Sequence, residues 1–427
     1  MRVLWLCNIM PPIVAEKLSL ESSVKEGWIT GMLNGILSSG ESNMDLAIVF
    51  PIMESLAQYH DVFVWNGMRV ACYGFCEDMI SPEKYQPALE TRFEHIINDY
   101  RPDVVHIFGT EYPHALAMAK VVKDKKKLLV GMQGVITHCA EEYQAELPQN
   151  IVERKTFRDY LKKDGILDQQ NKFTKRGRNE VRTLKLVGNV TGRTDFDKQF
   201  CKEINSDAVY HAMNETMRPC FYEGKWEVEN CKRHTIFFSQ ADYPLKGFHF
   251  LLEAMPYILE KYPDTKIVVA GNNIIRSGIM GAIKRPSYGK YLRSLKARYG
   301  LNGKIQFLGR LSAEEMKQEY LKCHTTVCAS VLENSPNSVA EAMLLGVPVV
   351  CANVGGVPSM VKDGKDGLLF EKGNANQLAE AVIKIWDEDS LAEKLGKAAQ
   401  IRAKKTHDPE ANVKRLVEIY HAIGDSK

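Results

Sequence analysis

The stretch between residues 325 and 351 constrains the fold more than any other part of this chain. Thr325–Ser330 and Val347–Cys351 are short apolar runs typical of buried strands. Between them, Ser335–Ser338 supplies capping side chains and a proline suited to a first helical turn. Val339–Leu345 continues with helical spacing, and Gly346 is suited to end the helix. A strand, a polar loop, a helix and a second strand predict an open α/β sheet, in which ligands bind beyond the carboxyl ends of the strands.

The polar loop and the start of this helix carry groups suited to a phosphorylated sugar. The backbone N–H groups of Asn337 and Ser338 favour an anion, ideally a phosphate. Glu333 lies in the loop, and Glu341 lies within the helix. A carboxylate offers paired acceptors for the adjacent hydroxyls of a ribose or hexose. The alternative is structural, with Glu341 complementing the helix dipole and Glu333 solvated in its loop.

The spacing of these two glutamates, Glu-x7-Glu, is followed by Ala-Met, a glycine and Pro-Val-Val, and it resembles the donor-site signature of the family 4 glycosyltransferases. The flanking sequences Gly355–Pro358 and Asp363–Leu369 also resemble that family. The resemblance implies that Glu333 contacts the transferred sugar and that Glu341 binds the nucleotide ribose. The other residues implied in this part of the donor site are Asn334, Ser335, Asn337 and Ser338.

Apolar runs in the first half alternate with helical patterns, which predicts βαβ units and a doubly wound sheet there as well. These runs are Met44–Phe50, Asp61–Trp65, Met68–Tyr73, Val104–Phe108 and Leu128–Met132. The resemblance implies the GT-B architecture, an α/β fold of two facing Rossmann-like domains with the active site in the cleft between them. We expect an acceptor-binding domain over residues 1–222, a nucleotide-sugar-binding domain over 223–405, and a helix over 406–427 that packs back on the first domain.

Lys246 is the candidate for binding the donor diphosphate. It follows the predicted strand His234–Ser239 and precedes a helical pattern, so its ammonium can lie on a diphosphate at the helix start. Family 4 enzymes usually carry an arginine about five residues earlier, where this chain has Gln240-Ala241. Lys246 therefore acts either alone or with Arg193 or Arg310. The donor-side residues expected in this part of the chain are Gln240, Lys246, Gly271 and Arg310.

Other candidates for the reacting sugar and the acceptor lie in the first half. Related enzymes often have a histidine where this chain has Gln133, so either Gln133 takes over a neutral hydrogen-bonding role or His138 reaches in from the loop. Gly27-Trp28 stands where a glycine pair is common; it either admits a ligand close to the backbone or lets helices pack closely. The residues expected on the acceptor side are Gly27, Trp28, Glu111 and Arg193.

Asp195-x-Asp197 looks like the metal-binding DxD motif of the other major transferase fold. The nucleotide signature lies far downstream of it, so we interpret the two aspartates as helix-start capping. Phosphate charge is then balanced by backbone amides and Lys246. We therefore expect that no metal and no cofactor are needed beyond the nucleotide sugar, which is the donor substrate.

Composition excludes several other classes of protein. A net charge of +3 gives no argument for nucleic acid, and the ten cysteines contain no CxxC pair, so we expect a reducing compartment without disulfides or a zinc site. No apolar run approaches membrane-spanning length, which favours a cytoplasmic protein with at most a peripheral contact at the inner face of the membrane. Residues 150–185 are rich in Lys and Arg with aromatic residues among them, and form either a contact with anionic lipid or a lipid-linked acceptor, or a solvated helical face.

The resemblance implies transfer of a sugar from a nucleotide-sugar donor to a hydroxyl of a glycan or lipid-linked acceptor, with retention of anomeric configuration. Gly192–Asp197, followed by Asn214–Arg218, resembles a bacterial branch of the family that is linked to surface polysaccharides. Retention also fits the lack of a carboxylate or histidine in the first domain with a strong claim to act as a general base. The alternatives are a GT-B fold epimerase or phosphorylase, and a non-catalytic nucleotide-sugar sensor.

Overall fold

The computed structural model describes residues 1–20, 27–38 and 44–425, and its contacts divide the chain into two compact units. Unit 1 comprises Met1–His138, Lys172–Arg218 and His407–Lys427. Unit 2 comprises Cys139–Asn171 and Pro219–Thr406. Each unit is built around one sheet of mainly parallel strands.

The sheet of unit 1 consists, within the described residues, of β1 (Arg2–Leu6), β2 (Asp45–Pro51), β3 (His60–Trp65), β4 (Met68–Phe75), β5 (Val104–Phe108), β6 (Leu128–Gly131), β7 (Asn189–Gly192) and β8 (Val209–Ala212). Their spatial order is β3-β4-β2-β1-β5-β6-β7-β8. All neighbours pair in parallel except β3 and β4. The order reverses between β1 and β5, so the carboxyl ends of these two strands form the topological switch point, where ligand crevices occur.

The sheet of unit 2 consists, within the described residues, of β9 (Thr235–Phe238), β10 (Lys266–Ala270), β11 (Ile305–Gly309), β12 (Thr325–Cys328), β13 (Val349–Ala352) and β14 (Leu368–Phe370). The order β11-β10-β9-β12-β13-β14 is the doubly wound Rossmann order, and all neighbouring strands pair in parallel. Its switch point lies between β9 and β12, which are the strands that precede Lys246 and Glu333.

The helices of the described residues are α1 (Pro12–Lys17), α2 (Gly27–Ser38), α3 (Ala88–Tyr100), α4 (Pro113–Val121), α5 (Ile136–Glu141), α6 (Gln149–Val152), α7 (Phe157–Lys162), α8 (Ile166–Leu184), α9 (Asp195–Ile204), α10 (Phe248–Lys261), α11 (Ile279–Ile283), α12 (Ser287–Arg298), α13 (Ala313–Lys322), α14 (Asn337–Leu345), α15 (Val357–Met360), α16 (Ala375–Asp387), α17 (Asp389–Thr406) and α18 (Pro409–Gly424).

The antiparallel pair at the edge of unit 1 follows from its turn. Asn66 and Gly67 join β3 to β4 and have positive φ angles of 46° and 85°. A two-residue turn with positive φ at both positions matches the twist of a hairpin, and Asn-Gly is the pair that adopts it most readily. The sequence patterns predicted both strands of this hairpin as separate strand-like runs.

Two apolar clusters cover the two faces of the unit 1 sheet. One contains side chains of α3 and α4, such as Phe93 and Met118, and the other contains side chains of α2 and α18, such as Met32 and Leu416. α18 packs against α2, and the buried hydroxyl of Tyr420 lies 2.7 Å from Nδ1 of His106 in β5. The last helix of the chain is therefore part of the core that the first strand begins.

The segment Cys139–Asn171 belongs to unit 2, although the sequence analysis placed all of residues 1–222 in one domain. Polar contacts explain the difference. The His249 imidazole lies 2.9 Å from the carbonyl of Ala145, and the buried Asp159 carboxylate accepts a 2.8 Å hydrogen bond from the Ser287 amide. These partners are far apart in the chain, so local sequence patterns could not predict them.

The described ranges contain no helix that is both long and apolar enough to cross a membrane.

Candidate functional site

The switch point of unit 2 brings together two of the residues predicted from sequence. Nζ of Lys246 lies 2.5 Å from Oε1 of Glu333, and the Ser330 hydroxyl donates a 2.8 Å hydrogen bond to the same oxygen. Lys246 ends a single helical turn, Pro244–Lys246, after β9, whereas Ser330 and Glu333 lie in the loop after β12. The Lys246 and Glu333 side chains keep 22% and 15% of their surface exposed, so a ligand can reach both.

Glycines hold this loop in place. Gly356 donates its amide to the carbonyl of Glu333 at 2.9 Å, and a Cβ on Gly355, whose φ is +49°, would collide with that carbonyl. A Cβ on Gly247 would likewise collide with the carbonyl of Ala329. A side chain at these positions would displace the backbone. The glycines therefore allow the close backbone approach that keeps Glu333 and Lys246 in their positions.

Lys246 carries its positive charge under all ordinary conditions. Burial by itself would lower the pKa of its ammonium, but the Glu333 carboxylate and the Tyr243 side chain act against this and hold the pKa above its ordinary value. In this structure the charge is balanced by Glu333. A diphosphate placed beside Lys246 would therefore meet a cation that is already formed and already positioned.

The helix α14 begins at Asn337, within the stretch Ser335–Ser338 that the sequence patterns assigned to its start, but its capping differs from the prediction. Pro336 is the N-cap residue and makes no side-chain cap hydrogen bond, so the expectation of a serine or asparagine cap at this position was wrong. The first intrahelical hydrogen bond runs from the amide of Val339 to the carbonyl of Pro336 at 3.0 Å. The N–H groups of Asn337 and Ser338 precede it and belong to the first turn, where a helix attracts anions.

The remaining residues of the signature surround this helix start. Glu341 lies inside α14 and is buried, Asn334 is buried in the loop, and Ser335 is half-buried beside it. The short turn after the signature is held by its own acidic residues: Asp363 accepts the amide of Leu369 at 2.8 Å and Asp366 accepts that of Lys362 at 2.6 Å.

A second polar group lies at the ends of β9, β10 and β11. The side chain of Gln240 donates to Asp242, which also accepts a 3.2 Å hydrogen bond from Asn272. Burial raises the pKa of Asp242, although these hydrogen bonds and the charge of the exposed Arg310 oppose the rise. Gly271 has a φ of +94° and lies beside the Asp242 carboxylate. The predicted donor-side residues Gln240, Gly271 and Arg310 thus gather around Asp242, which the sequence analysis did not single out.

In unit 1 the predicted residues Gln133 and Arg193 meet at Glu215. Nη1 of Arg193 lies 2.9 Å from Oε1 of Glu215, and the same oxygen accepts a 2.8 Å hydrogen bond from Nε2 of Gln133. Arg193 also donates to the carbonyl of Met132 at 2.9 Å. The Arg193 and Glu215 side chains are only 7% and 2% exposed, and burial raises the pKa of Glu215 against the effect of the arginine. Arg193 therefore holds the loop that carries Gln133.

Glu111 and the fully buried Glu180 shape the neighbouring loops of unit 1. Glu111 follows β5 and accepts a 3.0 Å hydrogen bond from the amide of Gly134. Glu180 in α8 accepts hydrogen bonds from the Thr110 and Thr137 hydroxyls and from the amides of residues 136 and 137. The carboxylate of Glu180 thus ties the loop after β5 to the loop after β6. Sequence reasoning missed it because its helix looked only basic and solvated.

His138 lies in α5 rather than in a loop, which corrects the sequence interpretation. Its ring centre is 5.5 Å from that of Phe196 and 5.1 Å from that of Phe200, both in α9. At the start of α2, a Cβ on Gly27 would collide with the side chain of Arg218. This neighbour of Gly27 belongs to no helix, so the contact is with a loop side chain rather than between helices, and the side chain of Trp28 lies outside the described part of the chain.

The two aspartates of the DxD-like sequence lie in the first turn of α9. The N-cap is Thr194, whose hydroxyl accepts the amide of Asp197 at 3.1 Å. Asp197 is buried and accepts a 2.5 Å hydrogen bond from the Tyr210 hydroxyl and a 3.1 Å bond from the amide of Arg193. These contacts give Asp197 a structural role at the helix start. The described residues contain no group of three or more His, Cys, Asp or Glu side chains placed to hold a metal ion.

Sequence comparison assigns similarity mainly to unit 2. The sequence profile of the family described as Glycosyl transferases group 1 matches residues 225–402. D-inositol 3-phosphate glycosyltransferase of Corynebacterium urealyticum is 30% identical over 180 residues, which cover 42% of this chain and 41% of that protein. Phosphatidyl-myo-inositol mannosyltransferase of Mycobacterium leprae is 25% identical over 193 residues, which cover 45% and 47%. The matched part of the chain spans less than half the length of these relatives.

Structural similarity extends over the whole chain. Sucrose-phosphate synthase of Thermosynechococcus elongatus superposes with a TM-score of 0.70 at 14% identity, covering 100% of both chains. HepE of Anabaena, in complex with UDP and glucose, superposes with a TM-score of 0.64 at 15% identity, covering 98% of this chain and 99% of that one. The two Rossmann-like units and these similarities confirm the predicted fold: this chain has the GT-B fold, and its second unit resembles the group 1 glycosyl transferases.

Proposed function

We propose that this chain is a glycosyltransferase that moves a sugar from a nucleotide-sugar donor to an acceptor hydroxyl. The observation that carries the proposal is the pairing of Lys246 with Glu333 at the switch point of unit 2, beside the start of α14. A cation for a diphosphate and a carboxylate for sugar hydroxyls are thereby held next to each other. The match to group 1 glycosyl transferases, and the UDP bound by the structurally similar HepE, support a nucleotide sugar as the donor.

Donor binding changes the partner of Lys246. Before the donor arrives, Oε1 of Glu333 accepts hydrogen bonds from both the Lys246 ammonium and the Ser330 hydroxyl. When a diphosphate binds at the start of α14, Lys246 donates to a phosphate oxygen, and Glu333 is released to accept hydroxyls of the sugar. Lys246 then stabilises the charge that grows on the departing diphosphate, which is the type of interaction that accelerates transfer.

We further propose that transfer proceeds with retention. Inversion needs a positioned general base opposite the leaving group, whereas unit 2 concentrates groups whose chemistry suits a diphosphate and one face of a sugar. In a front-face reaction the bond from the anomeric carbon to the phosphate oxygen breaks, the acceptor oxygen bonds to the same face, and the departing phosphate oxygen takes the acceptor proton. An α-linked donor then yields an α-linked product. In this proposal unit 1 binds the acceptor, with Glu111 and Gln133 at its strand ends and Arg193 positioning Gln133.

A panel of nucleotide sugars tests the activity, beginning with UDP-glucose. Release of free nucleotide is measured with and without glycan and lipid-linked acceptors, and the anomeric proton signal of the first product is read by NMR. Acceptor-dependent release and an α-linked product are expected. A sugar that is altered while still attached to its nucleotide, with no net release of nucleotide, would favour an epimerase, and binding without any turnover would favour a sensor. A β-linked product would overturn the front-face mechanism.

The same assay tests the expectation that no metal is required. Phosphate charge is met in this proposal by Lys246 and by the amides of Asn337 and Ser338, and Asp197 is occupied by Tyr210 and Arg193. Full turnover in the presence of EDTA is the expected result. Loss of turnover that magnesium restores would reverse this part of the proposal.

A role in cell-surface glycan or glycolipid synthesis implies contact with a membrane, and α7 offers a surface for it. Phe157, Tyr160 and Leu161 are 71%, 73% and 65% exposed, whereas a merely solvated helix would turn such side chains inward. Arg154, Lys162 and Lys163 are exposed beside them. The hydrogen bond from Ser287 to the buried Asp159 anchors the opposite side of the helix. Aromatic and basic side chains together suit the interface of an anionic bilayer.

Sedimentation with lipid vesicles tests this surface. We expect the protein to bind vesicles containing phosphatidylglycerol at least tenfold more strongly than neutral phosphatidylcholine vesicles, since each basic residue near the surface contributes about 1 kcal/mol. Replacing Phe157, Tyr160 and Leu161 by serine should remove the binding, whereas Ile401→Ser, at another exposed apolar residue, should not. If the triple variant bound the vesicles as strongly as the unaltered protein, the membrane contact would not be made by α7.

A further inference from the structure

Two cysteines lie side by side at the carboxyl ends of β12 and β13, directly before the loop that carries Glu333. Cys328 is the last residue of β12, and it is paired in register with Cys351 of β13. Both are free thiols, and both are buried. Residues that pair directly in neighbouring strands project their side chains from the same face of the sheet, so the two sulfur atoms can meet.

The two thiols interact with each other. The Cys351 thiol donates a hydrogen bond to the sulfur of Cys328, which lowers the pKa of Cys328 and raises that of Cys351. The Lys246 ammonium also lowers the pKa of Cys328, against the effects of burial and of Glu333. By contrast, burial raises the pKa of the Cys323 thiol to about 12. Cys328 is therefore the better nucleophile of the pair, and Cys351 lies beside it as the second thiol of a disulfide.

Cys328 is also connected to the accessible ion pair at the switch point. Its Sγ lies 3.8 Å from Oγ of Ser330, which donates a 2.8 Å hydrogen bond to Glu333. The amide of Val331 donates to the carbonyl of Leu245 at 2.8 Å, so the same loop is bound to the helical turn that contains the paired lysine. A displacement of the end of β12 is therefore transmitted to both charged groups.

A disulfide between Cys328 and Cys351 would produce such a displacement. Neighbouring strands lie ~4.8 Å apart, and the Cα atoms that a disulfide joins are ~4.4–6.8 Å apart, so the bond can form within the folded sheet. The Cβ atoms of a disulfide are only ~3.8 Å apart, so the two strand ends must move toward each other. Because Cys328 ends its strand, the movement falls on the loop that follows it.

We infer that Cys328 and Cys351 form a redox-responsive modification site, in which a peroxide closes a disulfide that displaces Glu333 and weakens donor binding. The disulfide itself is independent of the proposed function, whereas its effect on the donor rests on that function. In the reducing compartment expected from the composition, both residues are thiols until an oxidant appears, and other thiols can reverse the bond.

The reaction with hydrogen peroxide balances as follows from the two sulfur atoms. Cys328, which is 9% exposed, attacks one oxygen, the O–O bond breaks, and the departing hydroxide becomes water with the proton that Cys328 released. The Cys351 sulfur then attacks the resulting sulfenic acid, the S–O bond breaks, and the second hydroxide leaves as water with the Cys351 proton. The two thiols lose two electrons, and the peroxide gains them.

Mass spectrometry tests the disulfide on the unaltered protein. The reduced protein is treated with hydrogen peroxide, free thiols are blocked with N-ethylmaleimide in denaturant, and trypsin with Glu-C separates Cys323–Glu333 from Ala342–Lys362. We expect these two peptides to remain linked after oxidation and to separate after treatment with dithiothreitol, and fragmentation should assign the link to Cys328. Peptides that stay unlinked after peroxide treatment would overturn the inference.

UDP binding measures the effect on the donor site. Calorimetry should show that oxidation weakens UDP binding about tenfold, the effect of losing one charge-assisted hydrogen bond, and that dithiothreitol restores it. Cys351→Ser cannot form the bond and should bind UDP equally before and after peroxide, with Cys351→Ala as a second variant because the position is buried. Cys323→Ser, at another buried cysteine of unit 2, should remain sensitive. An equal loss of affinity in Cys351→Ser would overturn the inference.

The outcome is distinguishable from failure of the proposed function. A link between Cys328 and Cys351 in a protein that releases no nucleotide from any donor would leave the modification site and remove the glycosyltransferase. Acceptor-dependent release that peroxide does not change would leave the glycosyltransferase and remove the redox control of its donor site.

Discussion

Each unit places a cation and a carboxylate together at strand ends, but the two pairs differ in burial. Lys246 and Glu333 in unit 2 retain 22% and 15% exposure, whereas Arg193 and Glu215 in unit 1 retain 7% and 2%. Arg193 is also bound to the Met132 carbonyl and lies near Gln133. The accessible pair can exchange its partner for a ligand, whereas the buried pair can only hold backbone in place. The same pair of charged groups is thus open to a ligand in one unit and closed within the structure in the other.

Removing the buried cation should have the largest effect, and the effect should be on stability. Arg193→Ala leaves Glu215 buried without its counter-charge, which costs about 3–5 kcal/mol. Hydrogen exchange of β6 and β7, measured as a function of urea concentration, should show a lower free energy of unfolding for unit 1. A double variant, Arg193→Met with Glu215→Leu, should recover much of it, and equal destabilisation by both variants would mean that packing rather than charge explains the loss.

Removing the accessible cation should instead affect turnover. Lys246→Ala deletes the group that we propose stabilises the departing diphosphate, and loss of one such preorganised group costs about 3 kcal/mol, or more than a hundredfold in kcat. The matched control is Lys261→Ala, which removes an ammonium paired with Asp387 on the surface. Initial rates at saturating donor check the expectation. Wild-type turnover in Lys246→Ala would remove the phosphate-binding role from the accessible pair.

Acidification should destabilise both units, because each buries neutral histidines. Burial lowers the pKa of His106 to about 3 in unit 1 and that of His249 to about 4 in unit 2, from an ordinary value of 6.5. Below pH 6.5 the unfolded chain binds protons that the folded chain refuses until about pH 4, so stability is full above 6.5 and falls as the pH drops. At pH 5 each contributes a loss of about 2 kcal/mol.

Urea midpoints between pH 7 and pH 5 measure this slope. His249→Gln should make it shallower, and His95→Gln, at an exposed position of α3, should leave it unchanged. A slope that is the same in both variants would mean that other groups govern the acid response.

The smallest of these effects should come from Glu341→Ala. Its proposed ribose hydroxyls do not change during transfer, so the variant should raise the donor KM about tenfold and leave kcat nearly unaltered. Glu314→Ala, at an exposed position of α13, is the control. An equal fall in kcat would show that Glu341 acts in the transition state rather than in donor binding.

The fold and the unit 2 site were largely predictable because their signals are local. The glycines that support Glu333, the helix stop at Gly346 and the apolar strands around them all lie within one short stretch of chain. The position of Lys246 at the switch point could be predicted because it lies between a predicted strand and a helical pattern, while its role in binding a diphosphate stays a prediction. The absence of a side-chain cap at Pro336 was not predictable, because a proline at the N-cap and at the first helical position have similar sequence signatures.

The unit 1 groups were less predictable because they depend on contacts between distant residues. Glu215 and Gln133 are 82 positions apart, and Glu180 binds Thr110 across 70 positions. Glu77 and His114 form a buried pair, with Oε2 and Nδ1 2.7 Å apart, and no local sequence motif predicts this contact. A buried carboxylate can be recognised only once its neighbours are known. The single sequence therefore predicted the strands of this unit but not the hydrogen bonds between the loops that follow them.

The position of α18 has a consequence for how the protein is made. Its apolar residues, among them Leu416 and Tyr420, cover the face of the sheet that begins with β1, and they leave the ribosome only after all of unit 2. During synthesis, unit 1 therefore lacks the part of this cluster that α18 contributes, at a time when all residues of unit 2 have already been made. Unit 2 can complete its fold first although its sheet comes second, and unit 1 closes last.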